Sequence, residues 1–528
     1  MDMLLLTTPS QHMAENPSVE LNPKRLKTIL DAAPVMDVQK TVAYLESRIT
    51  PFNEISVTPA DRLKLLEIFH DAYDEILISY DDLRLNTLPI SPKERKAVSL
   101  DIMWLYLHLA MGYKVLVKQH ADQAPGYLKD KFIVLAIYRA MELIINALLH
   151  TFRAHESPPP LAYLEIHQLY NYAARLNIAD SKIRQVNSIH GHPSIADLYK
   201  QFLLLVIVDP FRQVSNSIFE IFLIFEEHAH HAVLSLDPIP NQKTNTCFMT
   251  SVIEDSPPVK CDKTLSSETE HIYLDISAVI KSLKQSTQNI HPDNFTHSSE
   301  IRLFEVIISQ LSHTGKRREE RTSCNQKVKI WFGMDATRYF LQSPDNLKNA
   351  LQVEKHHGIE VSNLDSEEAG EYELTDYTVA NHSRHGFYLT GKQLEDIDLA
   401  GDITGLVGIV EPVDVNNPKS LLPELALIRW ERGAENDQLQ IGVERIEGIA
   451  HTMCISNNNN NETFPGLFFT PADHPSRISY ILLPTPIYKE KQNLKMVINQ
   501  KSIPITLGTK VIKSSKYTVC RLAADKAR

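Results

Sequence analysis

Along residues 62–80 apolar side chains recur at Leu66, Phe69, Tyr73, Ile76 and Tyr80, alternating steps of three and four that gather on one face of an α-helix. Its start is marked too: Thr58 supplies an N-cap hydroxyl, Pro59 fits the first helical position, and Asp61 adds an acid to the first turn. Ser91, Pro92 and Glu94 repeat the device with capping-box spacing, ahead of an apolar segment that runs to Val117. Further helices are predicted over 131–152, 161–176, 195–208 and 211–233. All are richer in apolar residues than a lone surface helix, so they must bury against one another as an all-α domain of antiparallel pairs.

From about 236 to 268 the pattern gives way to Pro, Ser, Thr, Asn and Lys, the composition of a linker. Beyond it come a short strand (271–276), a helix (299–311), and then period-two segments at 327–332, 377–380, 387–389, 405–410, 425–430 and 439–443. A run of asparagines, Asn457 to Asn461, reads as a loop or joint before a last set of strands between 466 and 522. The fold class expected is multidomain α + β. The expected divisions are a disordered N-terminus (1–23), a helical domain (24–235), a linker (236–268), a strand and helix (269–315), a β-barrel (316–455) and a small second β unit (456–528).

With 528 residues the chain has room for about two to four domains. Its 43% apolar and 23% charged residues are ordinary for a globular protein, so core material is not limiting. The net charge of -11 opposes a nucleic-acid-coating role, which needs a surplus of Lys and Arg over a large face. The apolar stretches 132–149 and 202–208 are interrupted by Arg139 and Glu142 or stopped by Asp209 and Pro210, so no membrane insertion is expected. No secretory leader is read at residues 1–6, and the five cysteines show no paired short spacing. Reduced thiols in a cytoplasmic protein are the expectation.

Two short motifs carry chemistry. Lys316, Arg317, Arg318, Glu319, Glu320 and Arg321 form a basic cluster containing R-x-x-x-R, just before the first strand of the β block. Asn381, Ser383 and Gly386 form N-x-S-x-x-G leading into the strand FYL. Together they resemble the PilZ domain, with its R-x-x-x-R followed by [D/N]-x-S-x-x-G. The likeness extends through GLVGIVEP, LALIRWER and QLQIGVERI, over about 316–446, and the long helical part resembles a bacterial PilZ subfamily.

The resemblance implies a PilZ-type antiparallel barrel that binds cyclic di-GMP, and a signal receptor rather than an enzyme. Arg317 and Arg321 would pair with phosphate and with the O6 and N7 acceptors of guanine and stack on the base, while Lys316 and Arg318 add positive charge. Asn381 and Ser383 would offer an amide and a hydroxyl, and Gly386 would keep a Cβ out of the way or supply a positive φ. Bound nucleotide would order the arginine segment and redirect the helical domain toward a protein partner. No cofactor is expected, and a homo-oligomer is left open. The alternative is a degenerate PilZ scaffold or adaptor that binds no nucleotide, a reading fed by the acidic second half of an insertion at 343–372.

Other candidates are weaker. Residues 386–393 spell G-x-x-x-x-G-K-Q, but lack the Ser or Thr that would hold magnesium, and the intervening residues are strand-like. Glu227, His228, His230 and His231 read as a polar helix end favoured by the dipole rather than a metal site. Trp331 and Trp430 alternate with polar neighbours and read as core or rim packing.

Overall fold

The computed structural model describes residues 4–12, 19–35, 37–80, 92–122, 130–184, 186, 191–213, 217–238, 246–261, 271–289, 295–313, 322–353, 372, 374–383, 385–392, 405–410, 423–434, 438–456, 463–470, 480–498, 501–513 and 517–522. The chain divides into two compact units, Met1–Lys316 and Arg317–Arg528.

In the first unit, α1 (Pro23–Asp31), α2 (Val38–Glu54), α3 (Pro59–Tyr80), α4 (Pro92–Asp122), α5 (Asp130–Arg153), α6 (Ala162–Arg175), α7 (Ile195–Ile207) and α8 (Ser217–His228) follow one another. Their starts obey local chemistry. Asn22 accepts from the N–H groups of Lys24 and Arg25 at α1, and Thr58 accepts from Asp61 N–H at 3.2 Å at α3. Ser194 and Asp197 close a reciprocal capping box at α7. The expected helix over 211–233 begins only at Ser217, after a 3₁₀ turn at Pro210–Arg212.

Helices α4 and α5 are long and apolar enough to cross a membrane, and 61% and 83% of their most apolar windows are buried within the unit. Leu109, Tyr113, Ile137, Met141, Ile144 and Leu148 are fully enclosed at this centre.

Expectations for the N-terminal stretch, the linker and the cysteines of this unit are corrected. Within the N-terminal stretch expected to be disordered, residues 4–12 lie along the helices: Leu6 is buried, Thr7 N–H donates to Glu165 Oε1 at 2.8 Å, Gln11 Nε2 donates to the Asn53 carbonyl at 2.7 Å, and His12 bridges Ile55. Within the expected linker, residues 246–261 are also folded, while 239–245 and 262–268 lie outside the described residues. Strands β1 (Val233–Ser235), β2 (Cys247–Ser251), β3 (Val259–Lys260) and β4 (His271–Asp275) form a sheet ordered β1-β4-β2-β3.

The β2–β3 hairpin is laced to the helices by polar contacts that its Pro- and Ser-rich composition conceals. Asp255 accepts from the N–H groups of Leu161 (2.7 Å) and Leu164 (3.1 Å), capping α6. His167 lies 2.8 Å from the Tyr199 hydroxyl through Nδ1 and 3.1 Å from the Ser256 carbonyl through Nε2. A carbonyl only accepts, so the proton sits on Nε2 and Nδ1 accepts from Tyr199. The hairpin also joins Cys247 to Cys261 in a disulfide with Cα atoms 5.5 Å apart, correcting the expectation that all thiols are reduced; Cys324, Cys454 and Cys520 are free. Helices α9 (Ser277–Asn289) and α10 (Phe295–His313) complete the unit, burying Val279, Leu283, Ile307 and Leu311.

The second unit holds two closed six-stranded antiparallel barrels. The first contains β5 (Thr322–Phe332), β6 (Thr375–Ser383), β7 (Gly386–Lys392), β8 (Leu406–Val410), β9 (Glu424–Ala434) and β10 (Gln438–Arg445), closed in the order β10-β7-β6-β5-β8-β9. Alternate residues fill it: Val328 and Ile330, Tyr377 and Val379, Val407 and Ile409, Ala426 and Ile428, and Leu439, Ile441 and Val443. Between β5 and β6 lie α11 (Met334–Gln342) and α12 (Pro344–Val353), the latter forming the start of the apparent insertion.

The second barrel comprises β11 (Ile449–Ser456), β12 (Thr463–Thr470), β13 (Tyr480–Pro484), β14 (Asn493–Ile498), β15 (Lys501–Lys513) and β16 (Tyr517–Leu522). Ser456 pairs with Thr463, so β11 belongs with β12 and the division between barrels lies ahead of Ile449 rather than at 456; Asn457 to Asn461 lie outside the described residues. Trp331, Phe340 and Leu347 pack with Leu406 and Leu425 of the first barrel and Leu467, Phe469 and Leu482 of the second. That packing occupies the β5–β8–β9 side of the first barrel and leaves the β6–β7–β10 side outside it.

Candidate functional site

Strand registers assemble a single row of side chains across the outer face of the first barrel. Ser323 on β5 lies opposite Asn381 on β6; Asn381 is opposite Tyr388 on β7; Tyr388 is opposite Gly442 on β10; and Gly442 is opposite Trp430 on β9. Leu389 and Ile441, next to Tyr388 and Gly442 in sequence, point into the core, so their neighbours project outward. Three bulges bring the row into line, one between Ser323 and Gln326, one between Val379 and Asn381 and one between Gly442 and Val443. Ser383, opposite Gly386, falls two residues further along the same face.

The two glycines serve close approach. A Cβ on Gly442 would lie 2.0 Å from Trp430 Nε1, so its absence lets the indole lie flat across β10. There the ring sits 5.6 Å from that of Tyr388 at an interplanar angle of 38°. A Cβ on Gly386 would meet the Val443 carbonyl oxygen at 2.2 Å. Gly386 is not among the residues of positive φ, so its expected role as a left-handed turn residue is corrected: it is needed because β10 passes too close for any side chain.

Charge surrounds the row. Arg429 forms an ion pair with Glu444, the residue opposite Gly386. Arg445 pairs with Glu424 at 2.8 Å, and its guanidinium carbon lies 4.5 Å from the centre of the Phe387 ring. Burial raises the Tyr388 phenol above its ordinary pKa, an effect opposed by the Arg432 guanidinium. The Glu444 carboxylate opposite Gly386 is thus already paired, and the face offers an amide, a hydroxyl, two aromatic rings in tilted contact and guanidinium groups.

Of the residues singled out in the sequence, Asn381, Ser383 and Gly386 fall together on this face, half-buried. Lys316, Arg317, Arg318 and Arg321 lie outside the described residues. The first described residue after them, Thr322, pairs with His382, between Asn381 and Ser383. Sequence reasoning took Trp430 for core or rim packing. It is half-buried on the outer face, whereas Trp331 is 1% exposed, in the core, its Nε1 donating to Thr337 Oγ1 at 3.0 Å. Tyr388 was not singled out at all; the signal for both was an aromatic at an outward position of a strand.

The remaining motifs form no site. Gly386–Lys392 is strand β7 rather than a phosphate-cradling loop. His228 is 2% exposed with Nδ1 2.9 Å from Ser282 Oγ, and the described residues contain no grouping of His, Cys, Asp and Glu able to hold a metal ion.

Comparison with known proteins adds the following. Residues 24–240 match a family described as the N-terminal domain of the cyclic-di-GMP receptor FimW. The chain is 23% identical over 368 residues to the cyclic-di-GMP receptor FimW of Pseudomonas aeruginosa, a match spanning 67% of this chain and 58% of that receptor. No solved structure matches the chain.

Proposed function

We propose that the chain is a cyclic di-GMP receptor, that its first barrel is a PilZ-type domain holding the nucleotide on the outer β6–β7–β10 face, and that its helical unit is the protein-interacting output. The single observation that carries the reading is the convergence on one face of Asn381, Ser383 and Gly386, beside the strand end that directly follows Arg321. The match of residues 24–240 to the N-terminal domain family of a cyclic-di-GMP receptor supports it independently of the barrel geometry, since that match lies in the helical half.

In this reading the arginines clamp phosphate and guanine edges, Asn381 and Ser383 hydrogen-bond one base, and the Trp430 indole, beside Tyr388, provides an aromatic surface for stacking. The role is binding, not catalysis. Ordering of the arginine segment on ligand binding then biases the helical unit toward its partner.

Isothermal titration of the full chain with cyclic di-GMP, beside an Arg317→Ala, Arg321→Ala double variant, tests the proposal. Saturable heat from the wild type and none from the double variant is expected. Absence of heat from the wild type, or equal affinity in both, overturns it, and the adaptor reading then predicts partners indifferent to the nucleotide.

A further inference from the structure

The second barrel is charged on one side. Strands β11, β12 and β13 contain no Lys, Arg, Asp or Glu. From Lys489 to Arg521, a stretch that takes in β14 and β15 and most of β16, the chain holds eight Lys and Arg and one acid, Glu490. These three strands are neighbours in the barrel, so the cations share one side of it. The bias runs against the rest of the chain: residues 449–528 carry eleven Lys and Arg against four Asp and Glu, and residues 1–448 carry 43 against 61.

The strand registers place these side chains. Leu494 and Ile505 pair and point into the core, so Lys495 and its partner Pro504 project outward. Lys501 lies further along the same hairpin, opposite Ile498. Toward the other end of β15, Lys491 N–H donates to the Leu507 carbonyl at 2.9 Å, Lys510 lies opposite Cys520, and Arg521 follows Cys520 on β16. Lys489, Lys491, Lys495, Lys501, Lys510 and Arg521 are all exposed, and none of them forms an ion pair among the described residues. Aliphatic side chains lie among them on β15, where Ile503 is 43% and Val511 47% exposed. No aromatic side chain is exposed among the described residues from 488 to 522.

We propose that the β14–β15–β16 side of the second barrel lies against an anionic lipid surface. Unpaired cations interspersed with exposed Ile and Val suit phosphate headgroups above a hydrocarbon boundary, whereas a nucleic-acid strand is held by basic residues together with exposed rings that stack on its bases. The contact is peripheral: lysines reach the headgroups, and Ile503 and Val511 enter the boundary beneath them. Such a surface attracts this barrel and repels the acidic remainder of the chain, which fixes the side that approaches it. The inference does not depend on nucleotide binding at the first barrel, and its test omits cyclic di-GMP.

Co-sedimentation of the full chain with extruded vesicles tests the proposal, phosphatidylcholine alone beside an equimolar mixture with phosphatidylglycerol. Binding to the mixed vesicles, absent from phosphatidylcholine and released by high salt, is expected. Each lysine near the headgroups contributes about fivefold, so Lys495→Gln with Lys501→Gln should weaken binding at least about tenfold at an unchanged melting temperature. Ile503→Ser should weaken it several-fold and leave its salt dependence as it is. If the double lysine variant melts early, Lys510→Gln with Arg521→Gln takes its place with the same expectation. No binding by the wild type, equal binding to both vesicles, or unaltered binding by the charge variants overturns the proposal. Tighter binding of an oligonucleotide at equal phosphate concentration overturns the lipid assignment in favour of nucleic acid. Salt-sensitive dimerisation without vesicles, lost in the charge variants, overturns it in favour of a second copy of the chain.

Discussion

Thr322 lies directly opposite His382 in the first barrel, so the residue that follows Arg321 in the chain is seated between Asn381 and Ser383. Sixty residues separate the two motifs in sequence, counted from Arg321 to Asn381. One antiparallel pairing sets the residue after the first motif against the second.

Truncating Trp430 should weaken cyclic di-GMP binding without unfolding the barrel. The indole rests on Gly442 and Tyr388 at the outer face, so Trp430→Ala removes a stacking surface and opens no cavity in the core. Base stacking of this kind contributes about 1–3 kcal/mol, roughly a 5- to 150-fold loss in affinity. Calorimetric titration beside a thermal melt checks it; unchanged affinity would remove the indole from the site.

Gly386→Ala should act differently, damaging fold and binding together. The added methyl would stand 2.2 Å from the Val443 carbonyl oxygen, and backbone cannot yield as a flexible side chain can. Overpacking of this kind costs about 1–3 kcal/mol. The expected readout is a lower melting temperature for the second unit with reduced nucleotide affinity. A variant that melts like the wild type would show that β7 and β10 can separate cheaply.

The helices were legible because a 3.6-residue period declares itself within one segment: Leu66, Phe69 and Tyr73 need no distant partner to reveal a buried face. The first barrel's interior was legible for the same reason, in the alternation of Leu439, Ile441 and Val443. What stayed hidden depends on pairing between strands. The outward row from Ser323 to Trp430 exists only because three bulges shift the registers by a residue, and no local pattern announces a bulge. The β2–β3 hairpin was mistaken for a linker because what holds it is Asp255, Ser256 and a cysteine pair rather than a long apolar run.

That hairpin yields a chemical prediction. Alkylation of the denatured chain without reductant should label only Cys324, Cys454 and Cys520, and prior reduction should raise the count to all five cysteines. Peptide mapping should locate the two additional labels at Cys247 and Cys261. Five labels before reduction would show that the pair is not joined in the purified protein.

Asp255→Ala should destabilise the first unit by about 1–2 kcal/mol, the range for loss of a helix N-cap, because its carboxylate accepts from two otherwise unpaired N–H groups at the start of α6. Nucleotide affinity at the barrel should be unaffected. Urea unfolding monitored by far-ultraviolet circular dichroism checks the first claim and titration the second. A variant as stable as the wild type would mean that the hairpin's hold on α6 lies elsewhere, at His167 and Gln168.

Acid should weaken the helical unit through histidines buried in neutral form. His150 is enclosed between Tyr106 and Phe219, Nδ1 has no partner among the described residues, and burial together with Arg153 pushes its pKa down to about 3. In the unfolded chain the same imidazole titrates near its ordinary value of about 6.5. Between those values only the unfolded chain takes up the proton, so the stabilisation is complete above about pH 6.5 and is lost as pH falls toward about 3. At pH 5 the loss amounts to about 2 kcal/mol from this residue. His167, pushed down to about 4 chiefly by burial, acts in the same direction. His150→Phe keeps an aromatic ring against Tyr106 and cannot titrate, so between pH 7 and pH 5 it should lose about 2 kcal/mol less stability than the wild type. Urea melts at the two pH values decide this, and parallel losses would show that His150 is not buried as a neutral ring.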